Sequence, residues 1–141
     1  MIHSTRRALT LAMAITIACA ACGSPLSPSQ EAELAAANSL TDTFSGTVGV
    51  AGQVTHPFVV RGGGAVSLTL TAIGPNSTTL ISLGLGGWNG VTCAIQLSTP
   101  QARLSEVYQA SVGSAGNYCL VVADTGTFTG DVTYAVQVVH P

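Results

Sequence analysis

Val66-Ser67-Leu68-Thr69-Leu70-Thr71-Ala72 alternates apolar with hydroxyl side chains without a break. A chain that switches character at every second residue is an extended strand with one face buried and the other wet. The same period returns outward from it in Ile81, Leu83 and Leu85, in Val91, Cys93, Ile95 and Leu97, and in Val132, Tyr134, Val136 and Val138. Each set is expected to fill one buried face. No comparable stretch shows helical spacing, and turn-forming clusters separate the runs: Gly62-Gly63-Gly64, Gly74-Pro75-Asn76, Gly113-Ser114-Ala115-Gly116 and Asp124-Thr125-Gly126. The pattern predicts eight strands, near residues 44–50, 54–60, 65–73, 79–85, 91–97, 107–112, 117–123 and 131–139. Short strands at such regular spacing make an antiparallel sandwich or barrel.

At 141 residues the chain has room for one domain, or two only if both are small, and a multidomain enzyme is excluded. Its hydrophobic share, 47%, is ordinary, but only 7% of residues are charged. Charge-driven disorder is therefore excluded as well. Lysine is absent, and beyond residue 21 Arg61 and Arg103 stand alone against six acids, a net charge of −4. No basic patch offers a nucleic acid its footprint.

The N-terminus reads as an export leader, with Arg6 and Arg7 ahead of an apolar run from Ala8 to Ala18 that is short for a membrane span. The small residues Ala18-Cys19-Ala20-Ala21 then lead to Cys22-Gly23-Ser24, which resembles the lipobox of bacterial lipoproteins. Cys19 departs from that pattern, since the family usually has Leu there. Ordinary leader cleavage after Ala20 is the alternative, and it implies a secreted protein. Cleavage there leaves three cysteines, with one thiol stranded in an oxidising compartment. Cleavage before Cys22 uses that sulfur for lipid and leaves Cys93 and Cys119 to pair. The expected organisation is a lipoprotein signal peptide at 1–21, a lipidated Ser/Pro/Ala-rich tether at 22–42 and a β-sandwich at 43–141. Gly23 after the cysteine resembles the pattern of lipoproteins sent to the outer membrane of a diderm cell envelope. Within the tether, Ser27-Pro28-Ser29-Gln30 has the form of a capping box with Pro at the first helical position, so a short, marginal helix is expected there.

Cys93 and Cys119 both fall on predicted strands, at positions expected to face the core. They can bond if their strands are neighbours or oppose one another. A closed loop of that length stabilises by roughly 3–4 kcal/mol in the chain-entropy model.

Ala115-Gly116-Asn117-Tyr118-Cys119-Leu120-Val121-Val122, with the closing strand Thr133-Tyr134-Ala135-Val136-Gln137-Val138, resembles the end of bacterial pre-peptidase C-terminal domains. Phe44-Ser45-Gly46-Thr47-Val48, Phe58-Val59-Val60 and the run from Val66 to Leu70 are similar to their opening. The resemblance covers about residues 43–139 and implies an all-β, jelly-roll-like sandwich serving secretion, substrate binding or surface attachment. Residues 80–86 lack the acidic strand many members carry, so no calcium site is implied.

Chemistry is sparsely represented. His56 and His140 have no second ligand at a metal-binding spacing and are read as strand or surface histidines. No Gly-x-Ser-x-Gly elbow occurs. Residues 84–90 are glycine-rich but lack the Lys-Ser/Thr ending of a phosphate loop. Asp124 and Asp131 are read as turn formers rather than a calcium pair. We therefore expect no catalytic residue, metal or cofactor. What remains is a binding module for a carbohydrate, peptide or protein, or an accessory envelope protein without a ligand; a small hydrolase ranks last. The candidate contact residues are Trp88, Asn89 and Tyr108. Trp88 is placed in a loop between strands, where the commoner outcome is a ring folded over the open end of the core and the alternative is a ring held outward for a partner.

Overall fold

The computed structural model describes residues 25–141. The leader at 1–21 and the lipidation cysteine Cys22 lie outside the described residues. The tether contains α1 (Pro28–Ala37), capped by Ser27, whose hydroxyl accepts from Gln30 N while the Gln30 side chain accepts from Ser27 N. None of its residues is buried.

Eight strands follow: β1 (Leu40–Val48), β2 (Gln53–Val60), β3 (Gly64–Gly74), β4 (Ile81–Trp88), β5 (Cys93–Ala102), β6 (Val107–Val112), β7 (Gly116–Ala123) and β8 (Val132–His140). β1 starts at Leu40, ahead of the boundary expected at residue 43. All ladders are antiparallel, and they build two four-stranded sheets ordered β1-β8-β3-β6 and β2-β7-β4-β5. The pairs β1/β8, β2/β7, β3/β6 and β4/β5 amount to one long hairpin, and rolling it up adds the contacts β3/β8 and β4/β7. That is a jelly roll, an all-β antiparallel sandwich.

The core lies between the sheets. Val66, Leu68 and Leu70 of β3 and Val132, Tyr134, Val136 and Val138 of β8 meet Leu83 and Leu85 of β4 and Leu120 and Val122 of β7. Two runs of the alternation depart from the expected face. In β3 an extra residue at Thr71 shifts the register with β8. Ala72 is therefore exposed, and Ile73 packs against the core in its place. In β5, Leu97 pairs with Leu85 but Ile95 already pairs with Gly86, so Gln96 is bulged out. A bulge of one residue exchanges the faces on either side of it. The expected single face of Val91, Cys93, Ile95 and Leu97 is thereby broken: Leu97 stays on the inner side at the rim, Cys93 and Ile95 move to the outer side, and Val91 falls in the turn, 81% exposed.

Candidate functional site

The two open sides of the sandwich differ. Where edge strands β1 and β2 face one another, the gap is filled by rings. Phe44 stacks on His56 at 5.1 Å, His56 Nε2 lies 2.7 Å from the Tyr134 hydroxyl, and Phe58 contacts both Phe44 and His140. Burial pushes the His56 imidazole below its ordinary range and the Tyr134 hydroxyl above its own. His140, 1% exposed, sets Nε2 3.0 Å from Asp42 Oδ2 and Nδ1 3.1 Å from the Pro141 carbonyl oxygen. Both histidines are thus strand residues. The β8 alternation, continued from Val138 to His140, carried the signal that His140 points inward.

The opposite side, between edge strands β5 and β6, is not filled. A cleft of about 170 Å³ opens there, with Leu68, Leu83 and Leu85 at its floor and Leu97, Tyr108 and Ala110 among its walls. Among the described residues no charged one lines it. Leu97 is 49% exposed, with Leu104 and Val107 exposed on neighbouring segments. The bulge at Gln96 precedes the stretch of β5 that carries Leu97, Ser98 and Thr99 along the cleft. Of the predicted contact residues, Tyr108 is here. Its ring is partly buried against the core; its hydroxyl accepts from Arg103 N at 3.0 Å and donates to Glu106 Oε2 at 2.7 Å. Desolvation and the Glu106 carboxylate hold that hydroxyl above its ordinary range.

Trp88 and Asn89 are elsewhere. β4 continues to Trp88, so the ring stands on the last strand residue, opposite Cys93, and not in a loop. It shares parity with Gly84 and Gly86, the side away from the core, and belongs neither to the core nor to the residues packed on it. The expectation that the ring caps the open end is corrected: extending the strand by three residues fixes the ring on the outer face. Asn89 is consumed by the turn. Its Oδ1 accepts from Val91 N and Thr92 N, and its Nδ2 donates to Thr92 Oγ1, at 2.8–3.0 Å. Trp88 and Tyr108 therefore lie on different sheets, one directed out of the sandwich and the other into it, and do not form one surface.

The disulfide Cys93–Cys119 forms, with Cα atoms 5.8 Å apart, but on the outer face rather than on the core side expected. Cys119 is fully buried yet lies outside the core cluster, and its strand β7 is separated from β5 by β4. The glycines of β4 make this reach feasible. A Cβ on Gly86 would overlap the Ala94 carbonyl oxygen and sit 2.6 Å from its carbon, so β5 crosses directly over Gly86 to bring Cys93 above Cys119. Gly84 is covered in the same way by the Ile95 side chain. Residues 84–88 are strand, and Gly84 and Gly86 serve this crossing.

Asp124 is a turn former. Its Oδ1 accepts from the amides of Gly126, Thr127 and Phe128 and its Oδ2 from Ala51 N. Desolvation opposes ionisation, but these four donors outweigh it and hold the carboxyl below its ordinary range. Among the described residues no group of three or more His, Cys, Asp or Glu side chains converges as a metal site would require.

No family model matches the chain, and no curated protein does. Among solved structures it is similar to PliG of Aeromonas hydrophila, a periplasmic lysozyme inhibitor of g-type lysozyme, over 74% of this chain and 88% of that one, at 13% identity and a TM-score of 0.47.

Proposed function

We propose that the chain is a cell-envelope lipoprotein, held to a membrane through lipid on Cys22, whose jelly roll is a non-catalytic binding module taking an apolar side chain of a protein or peptide partner into the β5–β6 cleft. The observation that carries this reading is the contrast between the two sides of the sandwich. One is closed by Phe44, His56, Phe58 and Tyr134, while the other leaves Leu97 half-exposed above an uncharged cleft. Its volume is on the order of one large aliphatic residue, and an uncharged lining penalises any ionic group placed there. The Tyr108 hydroxyl is spent on Arg103 and Glu106, so the polar groups left to orient a partner are Ser98, Thr99 and Gln109 around the leucine floor. Pre-peptidase C-terminal domains, which the sequence resembles, serve comparable attachment roles. The lipobox-like sequence and the cysteine parity support the anchor, and Gly23 after Cys22 supports an outer-membrane address in a diderm host.

A photo-reactive amino acid at Leu97, compared in cells with the same group at the exposed Asn117 on the outer face of β7, tests the cleft. A discrete cross-linked protein from position 97 alone, lost when Ser98→Arg places a charge on the rim, is the expected result. Identical products from both positions, or none from either, return the reading to an accessory envelope protein without a ligand. Membrane release of Cys22→Ser tests the anchor separately.

A further inference from the structure

The sandwich has four edge strands, and three are unfit to add another. β2 carries Pro57 mid-strand, which withdraws an amide from the edge. β5 shifts register twice against β4 and contains Pro100. β6 is only six residues long. Bulges, proline and shortness are the devices by which sheet proteins blunt their edges. β1 has no bulge or proline, and nine residues pair with β8 in unbroken register from Leu40 to Val48; its one inward-pointing charge, Asp42, a group of the kind that also blunts edges, is held by His140 Nε2 at 3.0 Å. Apart from β8, no hydrogen bond among the described residues reaches the β1 main chain. Its inward residues are also less covered than those of β8. Leu40, Asp42, Phe44 and Gly46 are partly buried, whereas their partners His140, Val138, Val136 and Tyr134 are buried. Among the described residues, a strand this regular and half-covered on its inner side has no neighbour on its free edge.

We propose that this neighbour is the β1 strand of a second copy of the chain, paired antiparallel about Phe44, fusing two β1-β8-β3-β6 sheets into one of eight strands. A two-fold interface needs a strand complementary to itself. Centred on Phe44, all nine residues pair: Thr41 opposes Thr47 and Thr43 opposes Ser45 on the outer face, hydroxyl against hydroxyl. On the inner face Leu40 opposes Val48, the two Phe44 rings meet at the axis, and Asp42 opposes Gly46. The only charge on the strand thus falls opposite a residue without a side chain. Recentring on Asp42 sets the two carboxylates directly against one another, a destabilising pair, and leaves the end of the strand unmatched. An edge-binding segment of another protein is the competing occupant. Self-complementarity of sequence and charge favours the second copy.

The test uses the full chain. Copies carrying Thr43→Cys are mixed with copies carrying Ser45→Cys and oxidised gently, against each variant alone and against Thr41→Cys mixed with Ser45→Cys. The register places residues 43 and 45 directly opposite, within disulfide reach, while like residues lie on the longer diagonal. A dimer band at least fivefold stronger in the 43/45 mixture is expected. The double variant Thr43→Lys/Ser45→Lys, altered only at exposed positions, should sediment as a monomer at concentrations where the parent has twice the monomer mass. Equal cross-linking in every mixture, cross-links to a different protein, or a parent that stays monomeric to about 100 μM overturns the proposal. If the lysine variant misfolds, the cysteine mixtures decide alone.

Discussion

Replacing Gly86 with alanine probes the crossing on which the outer-face disulfide depends. The added carbon would overlap the Ala94 carbonyl oxygen and lie 2.6 Å from Ala94 C and 2.7 Å from Ile95 Cα. All three are backbone atoms, so no rotamer change relieves the contact. β5 must rise by about 1 Å to restore an ordinary carbon–carbon separation. Overpacking of this kind destabilises by about 1–3 kcal/mol. The same lift draws Cys93 away from Cys119, and if the bridge fails to close, roughly 3–4 kcal/mol more is lost. We expect a loss of about 3 kcal/mol or more, a fall in Tm of roughly 10 °C or more for a domain of this size, and a fraction of molecules with titratable thiols. Gly87→Ala is the control, since nothing lies within 4 Å of its added carbon, and it should stay within about 0.5 kcal/mol of the parent. Denaturant melts with thiol titration on both variants decide the matter. If Gly86→Ala is as stable as Gly87→Ala and fully oxidised, β5 does not cross where the structure puts it.

Cys93→Ser or Cys119→Ser should each lower stability by about 2–5 kcal/mol, the second more because Cys119 is fully buried; a non-reducing peptide map must first find the bridge. Because burial lowers the folded-state pKa of His56 below its unfolded value near 6.5, the stability it contributes is present above that pH and is lost as pH falls through the folded value. Thermal melts between pH 7.5 and 5 should therefore show a decline that His56→Phe flattens, and an unchanged decline in that variant would remove His56 as its source. Asp124→Asn should destabilise the 49–52 and 124–128 turns, seen as faster limited proteolysis, while added calcium leaves the parent Tm unchanged. Leu97→Asp should leave stability within about 1 kcal/mol, the ring of cleft residues beneath it remaining in place, and a larger loss would make Leu97 core rather than contact surface.

The strands were legible because burying one face of an extended chain writes a period of two into the sequence. Which face a given residue joined was legible only as far as the next bulge. Thr71 and Gln96 each insert one residue, and nothing in their identity announces it, because a bulge is set by the neighbouring strand's register. Ala72, Cys93 and Ile95 therefore lie on the face opposite to the one the alternation predicts. The disulfide partners were legible from parity and strand placement. Its location was not, since reaching across a whole strand requires the bare backbone of Gly86. A glycine in a strand signals close approach of another backbone, but residues 86–90 read as a turn, and that reading displaces Trp88 from its strand.

The candidate site was the least legible part for a related reason. Trp88 and Asn89 drew attention because aromatic and amide groups are conspicuous in a turn, yet the turn itself uses both amide functions of Asn89, and Trp88 belongs to the outer face beside the disulfide. The cleft is instead assembled from β3, β4, β5 and β6, residues far apart in sequence whose common property is ordinary hydrophobicity. What makes it a site is negative: no ring fills the gap between β5 and β6 as Phe44 and His56 fill the gap between β1 and β2. An unfilled edge becomes visible only once the topology fixes which strands lie at the margins. Since the order β2-β7-β4-β5 faces β1-β8-β3-β6, closing one margin with the three phenylalanine- and histidine-bearing strands β1, β2 and β8 leaves the aromatic-poor β5 at the other. With Trp88 committed to the outer face, Tyr108 is the one aromatic left to line that margin, and it lines one wall of the cleft rather than closing it.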